Sequence, residues 1–117
     1  MKEERGARRV DVPLIVEYRP GGSSEWRPTT QGQNISQTGL CFRLSEQIPV
    51  GTEVVVRMGV VGHHLRVTAT GRIAWIKEAG VVGPQPFQAG LQFTEVDPKA
   101  IQRLVREAYE YWREVLR

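Results

Sequence analysis

The chain has 117 residues, 40% of them hydrophobic and 25% charged, which supports one folded domain and excludes a disordered chain. Its formal net charge of +3 favours anionic partners without requiring nucleic acid. No apolar run approaches the roughly 20 residues that cross a bilayer. No signal peptide is visible, and the single cysteine, Cys41, suits a reducing compartment. We therefore expect a cytoplasmic protein that does not insert into membranes.

Most of the chain alternates apolar and polar residues, the pattern of strands with one buried face. The alternating apolar positions are, in chain order, Val12, Leu14, Val16 and Tyr18; Leu40, Phe42 and Leu44; Val54, Val56 and Met58; Leu65, Val67, Ala69, Ile73 and Trp75; and Phe87, Ala89, Leu91 and Phe93. Residues 26–30 form a weaker, polar candidate strand, and Gly71 predicts a bulge or bend. Six short strands of this kind bury their apolar faces best by closing into a small β-barrel.

The period changes near the C-terminus, where Asp97 and Pro98 form a helix start. The apolar residues that follow at helical spacing are Ile101, Leu104, Val105, Ala108, Trp112, Val115 and Leu116. We predict a mainly β fold, a six-stranded antiparallel barrel over residues 11–117 that includes a C-terminal helix at about 97–116. Residues 1–10 are expected to form a flexible arm, and Trp75 and Trp112 to lie in the core.

Two short polar stretches carry the candidate chemistry. The first places three guanidinium groups at Arg5, Arg8 and Arg9, before the first strand. The second runs from Asn34 to Gly39 between the weak second strand and the strand that starts at Leu40. Because a hairpin through 20–24 returns the second strand beside the first, both stretches should face each other at one end of the barrel.

These stretches resemble the paired signature of PilZ domains. Arg5 and Arg9 match its Arg-x-x-x-Arg motif, and Asn34, Ser36 and Gly39 match its Asp/Asn-x-Ser-x-x-Gly motif. Segments 71–76 and 90–93 resemble the later strands of the family, so that the likeness runs from about Glu4 to the C-terminus. The resemblance implies a receptor that binds cyclic di-GMP and uses no other cofactor.

The chemistry of that ligand suits these residues, since it is a dianion with two guanines. A guanidinium pairs with phosphate oxygens and matches the O6 and N7 acceptors of guanine, which the resemblance implies for Arg5 and Arg9. The side-chain oxygens of Asn34 and Ser36 would accept from the N1–H and N2 amino groups. Gly39 would permit a backbone conformation closed to other residues, with positive φ among the options.

Three details of the motif qualify these roles. Many members of the family carry aspartate where this chain has Asn34, which predicts lower affinity. Arg8 adjoins Arg9 and offers a second register for the arm. Glu4 stands where members that bind a stacked pair of ligands often carry arginine, which favours one ligand per site unless Arg8 takes that role.

Two other functions fit the sequence less well than the receptor does. A nucleic-acid-binding small barrel would need basic residues along a groove with exposed aromatic rings, and is disfavoured because the arginines cluster in the arm. A PilZ adaptor that binds only proteins would typically have lost these arginines. We expect no catalytic residues and no metal site, since the adjacent His63 and His64 would point to opposite faces of a strand. The output is expected to pass to a separate effector protein, and a homodimer remains open.

Overall fold

The computed structural model describes residues 9–27, 30–80 and 85–116. Six antiparallel strands close into a barrel, in the order β1-β2-β3-β6-β5-β4, and a C-terminal helix follows. The elements are β1 (Leu14–Pro20), β2 (Thr30–Ile35), β3 (Gly39–Leu44), β4 (Glu53–Val60), β5 (Val67–Glu78), β6 (Phe87–Val96) and α1 (Pro98–Tyr111), with a π-helical turn at Trp112–Leu116. The predicted fold, a mainly β six-stranded barrel with a C-terminal helix, is confirmed.

The barrel interior is filled by one face of each strand. Alternate side chains of β1, from Leu14 through Val16 to Tyr18, are almost fully buried. Inside, the Tyr18 and Phe42 rings meet edge to face with their centroids 5.6 Å apart, a geometry favoured by the aromatic quadrupole. The period-two pattern of the sequence therefore corresponds to the inward and outward faces of a closed sheet.

The second strand lies later in the chain than the polar pattern at 26–30 indicated, since β2 begins at Thr30. Trp26 and Arg27 lie outside the strands of the described chain and are held by other contacts. The guanidinium carbon of Arg57 lies 4.3 Å from the centre of the Trp26 ring. β2 has few large apolar residues, because two of its inward positions are Thr30 and Gly32. For this reason hydrophobic periodicity did not locate it.

Beta-bulges shift the register at three places. In β2, Gln33 is an extra residue between the pairs Gly32–Phe42 and Asn34–Cys41. A register shift does occur where Gly71 predicted a bulge or bend, but the extra residue is on the opposite strand: Thr70 pairs with Glu95 and Gly71 with Phe93, which leaves Thr94 of β6 unpaired. A further shift in β5 makes Ala74 the extra residue opposite β6. A bulge reverses which later residues point inward.

The bulge at Ala74 corrects the expectation that Trp75 belongs to the core. Ile73 points inward and is buried, and regular alternation would bury Trp75 as well. The extra residue instead turns Trp75 outward, where its side chain is 41% exposed, and packs Ile76 against the core. The ring therefore lies on the outer surface of the barrel.

The helix α1 packs against the barrel through Ile101, Leu104 and Ala108. Its N-terminus is capped by Asp97, whose Oδ1 accepts a hydrogen bond from the Lys99 N–H at 3.3 Å. The apolar stripe does not continue as expected, since Trp112 is 36% and Val115 61% exposed. Both lie in the π-helical turn, whose wider spacing rotates their side chains away from the stripe of α1. The helices of the described chain are too short or too polar to cross a membrane.

A polar network ties β1 to the segment after β3. Glu46 Oε2 accepts hydrogen bonds from the Tyr18 hydroxyl at 2.9 Å and from Arg27 Nε at 2.6 Å. Burial, reinforced by Glu46, raises the pKa of Tyr18. Burial also opposes ionisation of Glu46, but the hydrogen bonds from Arg27 and Tyr18 outweigh it and lower the pKa of that carboxyl. The network therefore holds a carboxylate beside a neutral phenol.

Candidate functional site

The chain enters the barrel beside the loop that follows β2. Val10 and Ile35 form a two-way backbone bridge, with the N–H of Val10 donating at 2.9 Å and that of Ile35 at 3.0 Å. This bridge places Arg9 next to the segment from Asn34 to Gly39, at one end of the barrel. Arg5 and Arg8, the other arginines predicted to bind the ligand, lie outside the described residues.

A pocket of about 310 Å³ opens on the outer surface at this end. Its lining combines the predicted motif residues with residues of β3, β5 and β6. The lining residues are Arg9, Asn34, Ser36, Thr38, Gly39, Leu40, Cys41, Ala74, Trp75, Gly90, Leu91 and Gln92. Four of the six residues proposed from the sequence thus share one cavity.

A row of paired residues runs across four strands beneath the pocket. Asn34 of β2 pairs with Cys41 of β3, Cys41 pairs with Gly90 of β6, and Gly90 pairs with Trp75 of β5. The bulges at Gln33 and Ala74 lie at the two ends of this row. Because each bulge resets the alternation of its strand, Asn34 and Trp75 both line the pocket on the outer surface. Small residues form the middle of the floor, and larger groups form its sides.

Ser36 is both a turn residue and a wall of the pocket. Its side chain is buried, and its Oγ accepts a hydrogen bond from the Thr38 N–H at 3.1 Å. The two hydroxyl oxygens, Ser36 Oγ and Thr38 Oγ1, lie 3.1 Å apart. The Ser36 N–H donates in turn to the carbonyl of Gly39 at 3.0 Å. These bonds fix the loop that carries the hydroxyl groups.

Gly39 is needed because β3 and β6 approach each other closely at this position, and not because its backbone adopts an unusual φ angle. Positive φ occurs at other glycines of the described chain, so that the option of positive φ at Gly39 is wrong. A Cβ at this position would lie 2.5 Å from the carbonyl oxygen of Leu91 on β6. Since that oxygen belongs to backbone, it cannot move aside cheaply, and glycine lets β3 and β6 pair at the edge of the pocket.

Trp75 and Gly90 are site residues that the sequence motifs missed. A Cβ at Gly90 would overlap the Nε1, Cε2 and Cδ1 atoms of Trp75, so the indole lies directly over this glycine. Lys77 Nζ lies 5.7 Å from the centre of the same ring. A glycine within a strand can mark close approach of another group. Here that glycine was the available signal, but its partner could not be identified without the strand register.

The electrostatics of the lining favour an anion. Arg9 is a cation, and the pocket lining in the described part of the chain includes no carboxylate. Burial raises the pKa of the Cys41 thiol, which keeps it neutral. Among the described residues, no group of three or more His, Cys, Asp or Glu side chains could hold a metal ion.

Arg9 also lines a second cavity, of about 280 Å³, beside the end of the helix. The other lining residues are Val10, Asp11, Tyr109 and Trp112. The Tyr109 and Trp112 rings have their centroids 5.9 Å apart. The Arg9 side chain therefore lies between the pocket and the aromatic pair of Tyr109 and Trp112.

Comparisons with known proteins agree with this architecture. A family model of the PilZ domain matches residues 2–110. No curated protein matches the sequence significantly. The inhibitor of motility MotI/DgrA of Bacillus subtilis is similar in structure, with a TM-score of 0.78 and 17% identity over 100% of this chain. This chain spans 55% of the length of that protein.

Two solved PilZ domains are similar over nearly their whole length. The PilZ domain of YcgR from Escherichia coli, solved with c-di-GMP, gives a TM-score of 0.67 at 15% identity, covering 96% of this chain and 94% of that one. The PilZ domain of CeSA from a cellulose-synthesizing bacterium gives 0.55 at 16% identity, covering 88% and 96%. At such identities the likeness establishes the fold alone.

Proposed function

This chain belongs to the PilZ domain family, and on that premise we propose that it is a receptor for cyclic di-GMP. Binding takes place in the pocket beneath Arg9 and involves no reaction. Arg5 and Arg8 are proposed ligand contacts as well, although both lie outside the described residues. The observation that carries the proposal is the single cavity shared by Arg9, Asn34, Ser36 and Gly39.

The lining offers one complementary group for each part of this ligand. The Arg9 guanidinium pairs with a phosphate or with the O6 and N7 atoms of guanine. The exposed indole of Trp75 supplies a flat surface on which a purine stacks. Asn34 and Ser36 provide side-chain oxygens for the donor edge of the base. Gly90 lets the indole lie close to the sheet, and the small side chain of Cys41 leaves room for a ring beside it.

The lining also supports a function in binding without catalysis. The described residues around the pocket include no carboxylate or histidine that could act as a general acid or base. The thiol of Cys41 is kept neutral by burial, which leaves it a poor nucleophile.

The two cavities that share Arg9 suggest how binding is passed on. A guanidinium that pairs with a phosphate in the pocket is withdrawn from the cavity beside Tyr109 and Trp112. Binding then alters the surface at the end of the helix, which a separate effector protein would recognise. Residues 1–8 of the arm lie outside the described residues; if the ligand orders them, as proposed from the sequence, the cost is about 2–5 kcal/mol, so we expect a Kd of about micromolar or somewhat tighter.

Calorimetric titration of cyclic di-GMP into the purified protein tests the receptor. We expect saturable binding that GTP does not reproduce and that Arg9→Ala weakens by about ten- to a hundred-fold, because a charge-assisted contact is lost. Arg103→Ala is the matched control, since Arg103 is an exposed helix residue outside the pocket lining. Absence of binding at hundreds of micromolar would reject the receptor and leave an adaptor that binds only proteins.

A further inference from the structure

Two side-chain amides of β2 and two of β6 lie at or beside the floor of the pocket, and they differ in how they are held. Gln88 Nε2 donates to Gln33 Oε1 and lies 3.4 Å from Cys41 Sγ, so that the Gln33–Gln88 pair is engaged. The side-chain amides of Asn34 and Gln92 form no hydrogen bond with any other described residue. Both of these line the pocket, whereas Gln33 and Gln88 do not.

The orientation of an amide is set by its hydrogen-bond partners. Because Asn34 and Gln92 have none among the described residues, each can turn its oxygen or its nitrogen toward a ligand by rotating about its last side-chain bond. The two ends of an amide differ, one being an acceptor and the other a double donor. Each of these side chains can therefore present either pattern to a base.

Guanine and adenine differ in the pattern they present along the Watson–Crick edge. Guanine offers an acceptor at O6 and donors at N1 and N2. Adenine offers a donor at N6 and an acceptor at N1. An amide complements the first pattern in one orientation and the second after a half-turn. A carboxylate accepts only, so that it matches the N1–H and N2 donors of guanine but opposes the N1 lone pair of adenine.

We propose that this pocket selects weakly between guanine and adenine at one base, and therefore also binds a cyclic purine dinucleotide in which one guanine is replaced by adenine. This inference rests on the proposed receptor function and concerns its base selectivity. Asn34 is the residue that decides the selectivity. It stands at one end of the row of paired residues beneath the pocket, and Trp75 stands at the other end, so that a base stacked on Trp75 directs its edge toward Asn34. Guanidinium contacts to O6 and N7 still favour guanine at the other base, so that cyclic di-AMP binds more weakly than the mixed dinucleotide.

The test compares cyclic di-GMP, cyclic GMP-AMP of the same linkage and cyclic di-AMP on the wild type and on Asn34→Asp. The measured quantity is the ratio of the Kd for cyclic GMP-AMP to the Kd for cyclic di-GMP. In the wild type we expect a ratio of about ten or less. In Asn34→Asp we expect that ratio to rise by about ten-fold or more, the discrimination that one well-placed pair supplies.

Taking the ratio removes any effect of the new negative charge that is common to the three dianionic ligands. Gln31→Glu is the charge control, since Gln31 is exposed on β2 outside the pocket lining, and it should leave the ratio unchanged. Gln92→Leu removes the other amide that has no hydrogen-bond partner among the described residues, at an exposed position. It measures how much Gln92 contributes to the selectivity, and we expect the ratio to change by less than in Asn34→Asp.

Three outcomes would overturn the inference. The first is a wild type whose Kd for cyclic GMP-AMP is a hundred-fold or more above its Kd for cyclic di-GMP. The second is an unchanged ratio in a folded Asn34→Asp variant. Both of these outcomes leave the receptor function standing. Failure of the wild type to bind any of the three dinucleotides overturns the receptor function, and the base selectivity with it.

Discussion

At the scale of single residues, the glycines around the site have distinct tasks that depend on what stands opposite them. Gly90 is covered by the Trp75 indole, a side chain on the outer surface. Gly39 and Gly71 face backbone carbonyl oxygens of β6, at 2.5 Å from where a Cβ would stand. A side chain on the surface can swing away, whereas paired backbone cannot. We therefore expect the same substitution to affect binding at one position and stability at another.

We predict that Gly90→Ala weakens cyclic di-GMP binding by about five-fold or more and changes the melting temperature little. The new methyl group displaces the indole, and base–aromatic stacking contributes about 1–3 kcal/mol. Gly71→Ala is the contrasting variant and should destabilise the fold by about 1–3 kcal/mol, because its Cβ meets the Gln92 carbonyl. Calorimetry and thermal unfolding measure the two effects. A Gly90→Ala protein with unchanged affinity would argue against stacking on Trp75.

At the scale of elements, the C-terminal helix serves two purposes along its length. The first three turns close the barrel through Leu104 and its buried neighbours. The π-helical turn then leaves Trp112 and Val115 exposed, and Trp112 lines the same cavity as Arg9. π-helical turns occur frequently at functional sites. The end of the helix is accordingly the surface of this element that we propose an effector protein would recognise.

We predict that Leu104→Ala lowers the free energy of unfolding by about 2–5 kcal/mol, since it opens a cavity in a fully buried position. Val115→Ala, the matched variant on the same helix, should change it by less than about 0.5 kcal/mol. Urea unfolding followed by circular dichroism measures both. Similar losses in the two variants would contradict the division of the helix into a packed part and an exposed part.

At the scale of the whole molecule, binding and stabilisation are assigned to different ends of the barrel. The pocket lies where the chain enters the barrel beside the Val10–Ile35 bridge, at the start of β3. The network of Tyr18, Arg27 and Glu46 lies past the other end of that strand. Changes in the network should therefore alter stability without altering ligand affinity.

We predict that Glu46→Gln destabilises the protein near neutral pH and that this difference shrinks as the pH falls below about 4. The pKa of Glu46 is lowered in the fold, so its contribution is present above the ordinary pKa of the carboxyl and is lost as acid protonates it. Chemical unfolding across this pH range measures the difference, with cyclic di-GMP titration at neutral pH as the control. A difference at pH 3 as large as at neutral pH, or a large loss of affinity, would contradict the prediction.

The sequence alone determined the fold class and one side of the site. Alternating apolar residues, turn residues and the Asp97–Pro98 helix start act within a few neighbouring positions, so they indicated the barrel and the closing helix without tertiary information. The two motifs placed Arg9, Asn34, Ser36 and Gly39 at one end because a hairpin brings the ends of adjacent strands together.

Only the tertiary structure decided which way Trp75 points, which close strand contact Gly39 permits and which amides near the pocket have no hydrogen-bond partner among the described residues. Each depends on groups far apart in the chain: the bulge at Ala74 is defined by pairing with β6, and the space at Gly39 by the Leu91 carbonyl. Periodicity counts residues along one strand, whereas a bulge changes that count only relative to the neighbouring strand. For that physical reason the aromatic side of the pocket appeared only once the barrel had closed.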